Sequence, residues 1–311
     1  MRKEEFTYDS RDSKTKIHAV RWIPDGEVRF VLQLVHGMSE YIERYDEVAT
    51  WFAQRGVLVT GNDHLGHGKS IREGEPYGYF CEQDPATVIV RDVHRLKKLT
   101  QEQYPSVPYF ILGHSMGSFV LRNYLFKYGS GIDGAIISGT ATQPKGAVKA
   151  GLFLTGLEGL FKGEKHVSEL LSKMALGDKS KIEPEHRNDW LCTDYEVVKK
   201  YDADPLCGFT FTVNGFKTLF TLIDRQNDFG NVIKIPKKLP ILIISGKEDP
   251  IGNFGEGVIK VKEEFLRAQM TDVTMNLYDN LRHEVLNEPS KEEIYGQIFD
   301  WINKRIQANR V

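Results

Sequence analysis

The chain has 311 residues, 41% hydrophobic and 27% charged, with a formal net charge of −2. This is the composition of a soluble globular protein of one large or two small domains. It gives no reason to expect nucleic acid or a strongly anionic membrane as a partner. Cys81, Cys192 and Cys207 are scattered and form no C-x-x-C pair, which argues against a disulfide framework and for a reducing, cytoplasmic setting. Met1–Glu5 leads into polar sequence without the apolar core of a secretory signal, and no apolar run reaches bilayer length.

In chain order, Phe6–Ser10 and Lys16–Trp22 read as short strands joined by a turn at Arg11-Asp12-Ser13. Arg29–Val35 is a strongly apolar strand, expected to be buried on both faces. It runs into His36-Gly37-Met38-Ser39-Glu40, and then a helix carries Val48, Ala49, Trp51 and Phe52 on one side and stops at Gly56. Val57–Thr60 is the next strand, followed by the loop Asn62–Ser70. Asp84-Pro85 opens a helix to about Tyr104, with Val88, Val93, Leu96 and Leu99 inward. Tyr109–Leu112 and Gly134–Ser138 are further buried strands with a helix between them. The alternation predicts a parallel sheet covered on both faces.

From Ala141 to Asp228 the alternation stops and the sequence reads as mostly helical, with Lys145–Lys162 an apolar, glycine-rich stretch, Val167–Leu176 an amphipathic helix and Tyr201–Pro205 a turn. It resumes with strand Ile241–Ser245, helix Gly257–Gln269, strand Val273–Tyr278 and a last helix from Ser290 to about Ile306. Residues 141–228 are therefore expected to be an insertion in a core formed by residues 1–140 and 229–311.

Gly113-His114-Ser115-Met116-Gly117 is a G-x-S-x-G sequence between a strand and a helix, the context that makes it a nucleophile elbow. Ser115 would sit on a strained turn at a helix start, where free N–H groups suit a developing oxyanion. A serine hydroxyl needs a base, and the base needs an orienting acid. On such a sheet these follow in the order acid, then histidine, on loops after later strands. Downstream histidines are His166, His186 and His283, and only His283 follows a sheet strand. Asp249, in Gly246-Lys247-Glu248-Asp249-Pro250, is preferred over its neighbour Glu248, because a residue before proline is held extended. Two backbone donors would complete the site: Met116 N–H, and Met38 N–H from the turn that Gly37 permits.

Other motifs carry less. His36 reads as a structural loop histidine. His64 and His67 lack the spacing of a helical metal pair, so no metal is expected. Gly68-Lys69-Ser70 lacks the leading glycine of a phosphate loop, since position 63 is Asp63. No cofactor is expected.

Together the segments His36–Glu40, Asn62–Ser70, Gly113–Gly117, Gly246–Pro250 and Arg282-His283-Glu284 resemble the monoacylglycerol lipase and lysophospholipase branch of the α/β-hydrolase superfamily, also labelled serine aminopeptidase S33. The resemblance implies an α/β-hydrolase fold: a mostly parallel, eight-stranded sheet with helices on both faces and an inserted helical cap. It also implies Ser115, Asp249 and His283 as the catalytic set, with Met38 and Met116 as oxyanion donors. The chain departs from that lipase pattern at Met38-Ser39, where small residues are usual, which would narrow the acyl entrance.

The expected activity is hydrolysis of a monoacyl lipid ester through an acyl-enzyme. A small-ester carboxylesterase or an acyltransferase would use the same groups. A serine aminopeptidase is disfavoured, since His36-Gly37-Met38 replaces the His-Gly-Gly-Pro-Gly loop of proline-releasing peptidases, and a non-catalytic binding protein is disfavoured by the complete catalytic set. Phe153, Leu154 and Leu157 are candidates for the acyl pocket, because apolar side chains there cover more than one helical stripe. Gly151, Gly156 and Gly159 make that helix either mobile or closely packed. The expected partner is a small-molecule ester, with transient membrane contact through the cap and no stable insertion. The sequence does not give the oligomeric state.

Overall fold

A computed structural model describes residues 1–175 and 188–308. Eight strands form one sheet in the order β1-β2-β4-β3-β5-β6-β7-β8. They are β1 (Arg2–Asp9), β2 (Lys16–Ile23), β3 (Phe30–Val35), β4 (Val57–Asn62), β5 (Tyr109–His114), β6 (Gly134–Ser138), β7 (Ile241–Gly246) and β8 (Val273–Tyr278). The β1–β2 hairpin pairs antiparallel with itself and with β4, and every other pairing is parallel.

Period-two alternation divides the core. In β3, Phe30, Leu32 and Leu34 join α1 (Asp46–Ala53) and α10 (Lys291–Ala308) through Phe52, Tyr295 and Trp301. Val31 and Val35 face the other way, toward α2 (Pro85–Gln103), α3 (Met116–Tyr128) and α9 (Glu256–Arg267). A strand with both faces covered has no polar stripe, and β3 is apolar except at Gln33, whose buried amide donates to Val93 O and accepts from Tyr109 OH. The α2 start follows its sequence signal: Pro85 opens the helix, and the Asp84 side chain accepts the Thr87 N–H.

Between β6 and β7 lie α4 (Lys145–Lys162), α5 (Glu169–Ala175), α6 (Tyr195–Ala203), α7 (Val213–Asn227) and α8 (Phe229–Val232), with no strand of the sheet among the described residues. The expected turn at Tyr201–Pro205 is in part helix: Asp194 caps α6 at the Glu196 N–H, and the helix runs on through Ala203. Helix α4 lies on α7 so closely that a Cβ on Gly151 would sit 2.9 Å from the Phe220 ring. Close packing is thus the use made of this glycine.

The parallel strands put the ends of β3, β5, β7 and β8 on one edge, which is where the loops carrying the expected site residues emerge.

Candidate active site

The elbow lies at the β5–α3 junction. Ser115 has φ 54° and ψ −122°, a backbone conformation that side-chain-bearing residues rarely adopt. Its flanking glycines are obligatory. A Cβ on Gly113 would meet Gly117 O at 2.4 Å, and one on Gly117 would meet Val35 O at 2.0 Å. Ser115 N–H donates to Ser138 O at 3.0 Å, which anchors the turn to β6. Met116 is the first residue of α3, so its N–H belongs to the turn that has no acceptor within the helix.

Asp249 and His283 come from the loops after β7 and β8. Both are fully buried, with His283 Nδ1 2.8 Å from Asp249 Oδ2. The other carboxylate oxygen accepts the Ile251 N–H at 2.8 Å. Glu248 is exposed and its backbone N–H donates to Leu281 O, so it does not reach the imidazole. Burial lowers the His283 pKa, but the charge and hydrogen bond of Asp249 outweigh it and leave the imidazole above its ordinary value. His114, whose ring centroid lies 4.7 Å from that of His283, is pushed down to about 3 by burial and by His283, so it stays neutral. His166 sits in a surface pair 3.4 Å from Glu158, and His186 lies outside the described residues.

Ser115 and His283 open onto one cavity of about 490 Å³, together with Met38 and Met116. Phe119, Leu219 and Ile251 supply apolar wall, and Trp190 stands over His283 with ring centroids 5.1 Å apart. Phe153, Leu154 and Leu157 are not among its described lining. Helix α4 turns Val148, Gly151 and Thr155 inward, which leaves Phe153 66% exposed and Leu160 and Phe161 78% and 81% exposed.

The loop after β3 is held from below. Gly37 N–H donates to Glu40 Oε1 at 2.5 Å, and Tyr45 OH donates to the same oxygen at 2.9 Å. Arg44 donates to Glu40 Oε2 at 2.6 Å and, through both terminal nitrogens, to Glu284 at 2.8 and 2.9 Å. This buried cluster joins the loop after β3 to the residue after His283. Burial raises the Glu40 carboxyl; Arg44 outweighs burial at Glu284 and holds it at about 2. The inserted segment holds the same loop from above. Ser39 Oγ donates to Phe209 O at 2.6 Å, and Ser39 O accepts from Gly208 N–H and Tyr201 OH. It is also clamped to the histidine loop, where buried Glu288 accepts from Thr193 and Arg282 N–H.

Sequence reasoning missed Arg44, Trp190 and Tyr201. Arg44 had a usable signal, standing four residues after Glu40 near a helix start. Trp190 and Tyr201 had none, since nothing local marks which residues of an insertion fold back over a distant loop.

The loop after β4 is structural. Asp63 accepts the N–H groups of Ile42 and Lys69 and pairs with His18. Burial pushes His64 to about 3 and His67 to about 4, so both are neutral. Glu5, His18 and Glu43 converge at the surface, where Lys69 Nζ already sits 2.7 Å from Glu5 and 3.1 Å from Glu43.

The chain is similar to several known proteins. A monoacylglycerol lipase of Mycolicibacterium smegmatis is 28% identical over 283 residues, 90% of each chain. A probable lysophospholipase L2 of Haemophilus influenzae is 25% identical over 90% of this chain and 84% of its own. A thermostable carboxyl esterase from Bacillus coagulans, solved with glycerol, superposes with a TM-score of 0.90 at 30% identity, covering 98% of this chain and 99% of its own. The family described as "Serine aminopeptidase, S33" matches residues 26–290. With the sheet, the elbow and that match in agreement, the chain belongs to the serine aminopeptidase S33 family of α/β-hydrolases.

Proposed function

We propose that this protein is a serine hydrolase that cleaves monoacyl lipid esters, of monoacylglycerol or lysophospholipid type, through an acyl-enzyme. The observation that carries the reading is the buried Asp249–His283 pair opening onto the same cavity as the strained Ser115. The relatives named as monoacylglycerol lipase and lysophospholipase support the substrate class.

Ser115 Oγ attacks the ester carbonyl as His283 takes its proton. Asp249 holds the Nδ1–H tautomer, leaves Nε2 free to act as base, and stabilises the imidazolium that forms. Met116 and Met38 N–H groups hold the oxyanion. His283 then protonates the leaving alcohol, and water attacks the acyl-enzyme by the same route in reverse. The acyl chain lies along Phe119, Leu219 and Ile251.

Residues 141–228 act as a cap on a core of residues 1–140 and 229–311. Phe153, Leu157, Leu160 and Phe161 form its outward apolar face, with Leu170 and Met174 of α5 exposed nearby. That face makes transient contact with a lipid surface. No described helix is long and apolar enough to cross a membrane. The three free, buried cysteines support a cytoplasmic setting.

A second reading, a small-ester carboxylesterase, is favoured by the Bacillus coagulans structure. A panel of acetate, butyrate, octanoate and laurate monoesters of glycerol separates the two. Efficiency that climbs with chain length supports the lipid reading, and a maximum at acetate supports the carboxylesterase.

A further inference from the structure

The N–H of Met38 belongs to the peptide unit whose carbonyl is Gly37 O. That oxygen lies 2.8 Å from His36 Nδ1. A carbonyl can only accept, so Nδ1 carries the proton. The other ring nitrogen, Nε2, accepts the backbone N–H of His64 at 2.9 Å, so it is bare. The two bonds require one tautomer, and each excludes the other tautomer independently. Burial, with His64 and His67 alongside, keeps this imidazole far below its ordinary pKa, so it does not become a double donor.

Among the described residues no peptide bond is cis, so the Gly37–Met38 unit is trans. In a trans unit N–H and C=O point in opposite directions. Drawing Gly37 O onto His36 therefore turns Met38 N–H the other way. His36 lies fully buried beneath the loop, whereas Met38 lines the cavity. The loop is close to the nucleophile: a Cβ on Gly37 would stand 3.0 Å from Ser115 Cβ. The preceding peptide unit is fixed as well, with Gly37 N–H on Glu40 and His36 O 3.2 Å from His64 Nε2. Without these bonds a glycine-centred unit would rotate freely and the hole would lose one donor.

We propose that His36 is a positioning residue of the oxyanion hole: its Nδ1–H tautomer, set by the His64 N–H, aims Met38 N–H at the ester carbonyl, with Glu40 fixing the adjoining peptide. The inference rests on the reading of Met38 as an oxyanion donor. It gives His36, expected from the sequence to be only a loop histidine, a direct bearing on rate.

The test combines kinetics with spectroscopy on the full chain. His36→Leu removes the donor. Loss of one oxyanion donor lowers kcat about 100-fold or more, and KM should change less than about threefold because ground-state binding is not involved. His36→Asn keeps an N–H near the Nδ1 position and should recover at least a tenfold part of the loss. Imidazole nitrogen shifts in histidine-labelled, unsubstituted enzyme should show His36 neutral and protonated on Nδ1 across the neutral range. This measurement needs neither turnover nor a folded variant. A folded His36→Leu enzyme with kcat within threefold of the parent would overturn the proposal. So would a kcat loss that His36→Asn shares in full, or a proton found on Nε2. Parent ester hydrolysis and fluorophosphonate labelling of Ser115 are measured in the same preparation. Their absence removes the hydrolase reading, whereas their presence with the wrong tautomer removes only the role of His36.

Discussion

Arg44 offers the most demanding test of how the site is built. Its guanidinium donates three hydrogen bonds of 2.6 to 2.9 Å to two carboxylates, Glu40 and Glu284, that are 3% and 4% exposed. In Arg44→Leu both carboxylates stay buried without their cation. Breaking a buried pair by removing one partner costs about 3–5 kcal/mol, a large part of the ~5–15 kcal/mol that holds a typical domain. The pH dependence has a definite sign. In the parent, Glu284 lies below its unfolded value, so it adds stability above the unfolded pKa, and this is lost as pH falls toward about 2. Without Arg44, burial raises Glu284 and raises Glu40 further than in the parent, and the variant loses stability as pH rises. The deficit is therefore largest at neutral pH and shrinks toward pH 4. Urea unfolding of parent and variant at pH 4, 5.5 and 7 measures it. Arg44→Leu combined with Glu40→Gln and Glu284→Gln should recover much of the loss at pH 7. A deficit under about 1 kcal/mol at pH 7, the level of a surface pair, or one that grows toward pH 4, would refute the reasoning.

Other outcomes follow from the same geometry. Because Asp249 raises the His283 imidazole, kcat/KM should rise with pH through a midpoint above that of a free histidine. Asp249→Asn should shift that midpoint down and lower kcat by about 10⁴, which a pH–rate profile reads directly. Each methylene buried along Phe119 and Leu219 should add about 0.8 kcal/mol, a few-fold in affinity, until the cavity is full. Leu219→Trp should therefore cut kcat/KM for laurate far more than for butyrate. Leu160→Asp with Phe161→Asp should weaken binding to lipid vesicles in a flotation assay while leaving hydrolysis of a soluble butyrate ester unchanged.

What was legible in the sequence was local or periodic. Gly113–Gly117 between an apolar strand and a helix announces the elbow, because only glycine fits beside Gly117 O and Val35 O. The apolar, glycine-rich stretch Lys145–Lys162 is the span that α4 takes up. Asp84-Pro85 marked the start of α2 through capping and proline chemistry. By contrast, β1 begins at Arg2, earlier than its apolar residues suggest, because an edge strand with exposed faces tolerates Lys3, Glu4 and Glu5. The orientation of α4 was not legible. A helix apolar on most sides carries only a weak signal for one face, and Gly151 sits on the face that α7 approaches. The clamps from Tyr201 to Ser39 and from Thr193 to Glu288 join residues far apart in sequence, and no local pattern encodes them.

The central claim is that Ser115 is the one covalent nucleophile of an ester hydrolase. Its most direct test is a titration with a long-chain alkyl fluorophosphonate, following monoacylglycerol hydrolysis and mapping the adduct by peptide mass spectrometry. We predict one adduct per chain, on the peptide containing Ser115, with activity lost in proportion to labelling and no labelling of Ser115→Ala. An adduct on another residue, or hydrolysis that persists once Ser115 is fully modified, would contradict the account.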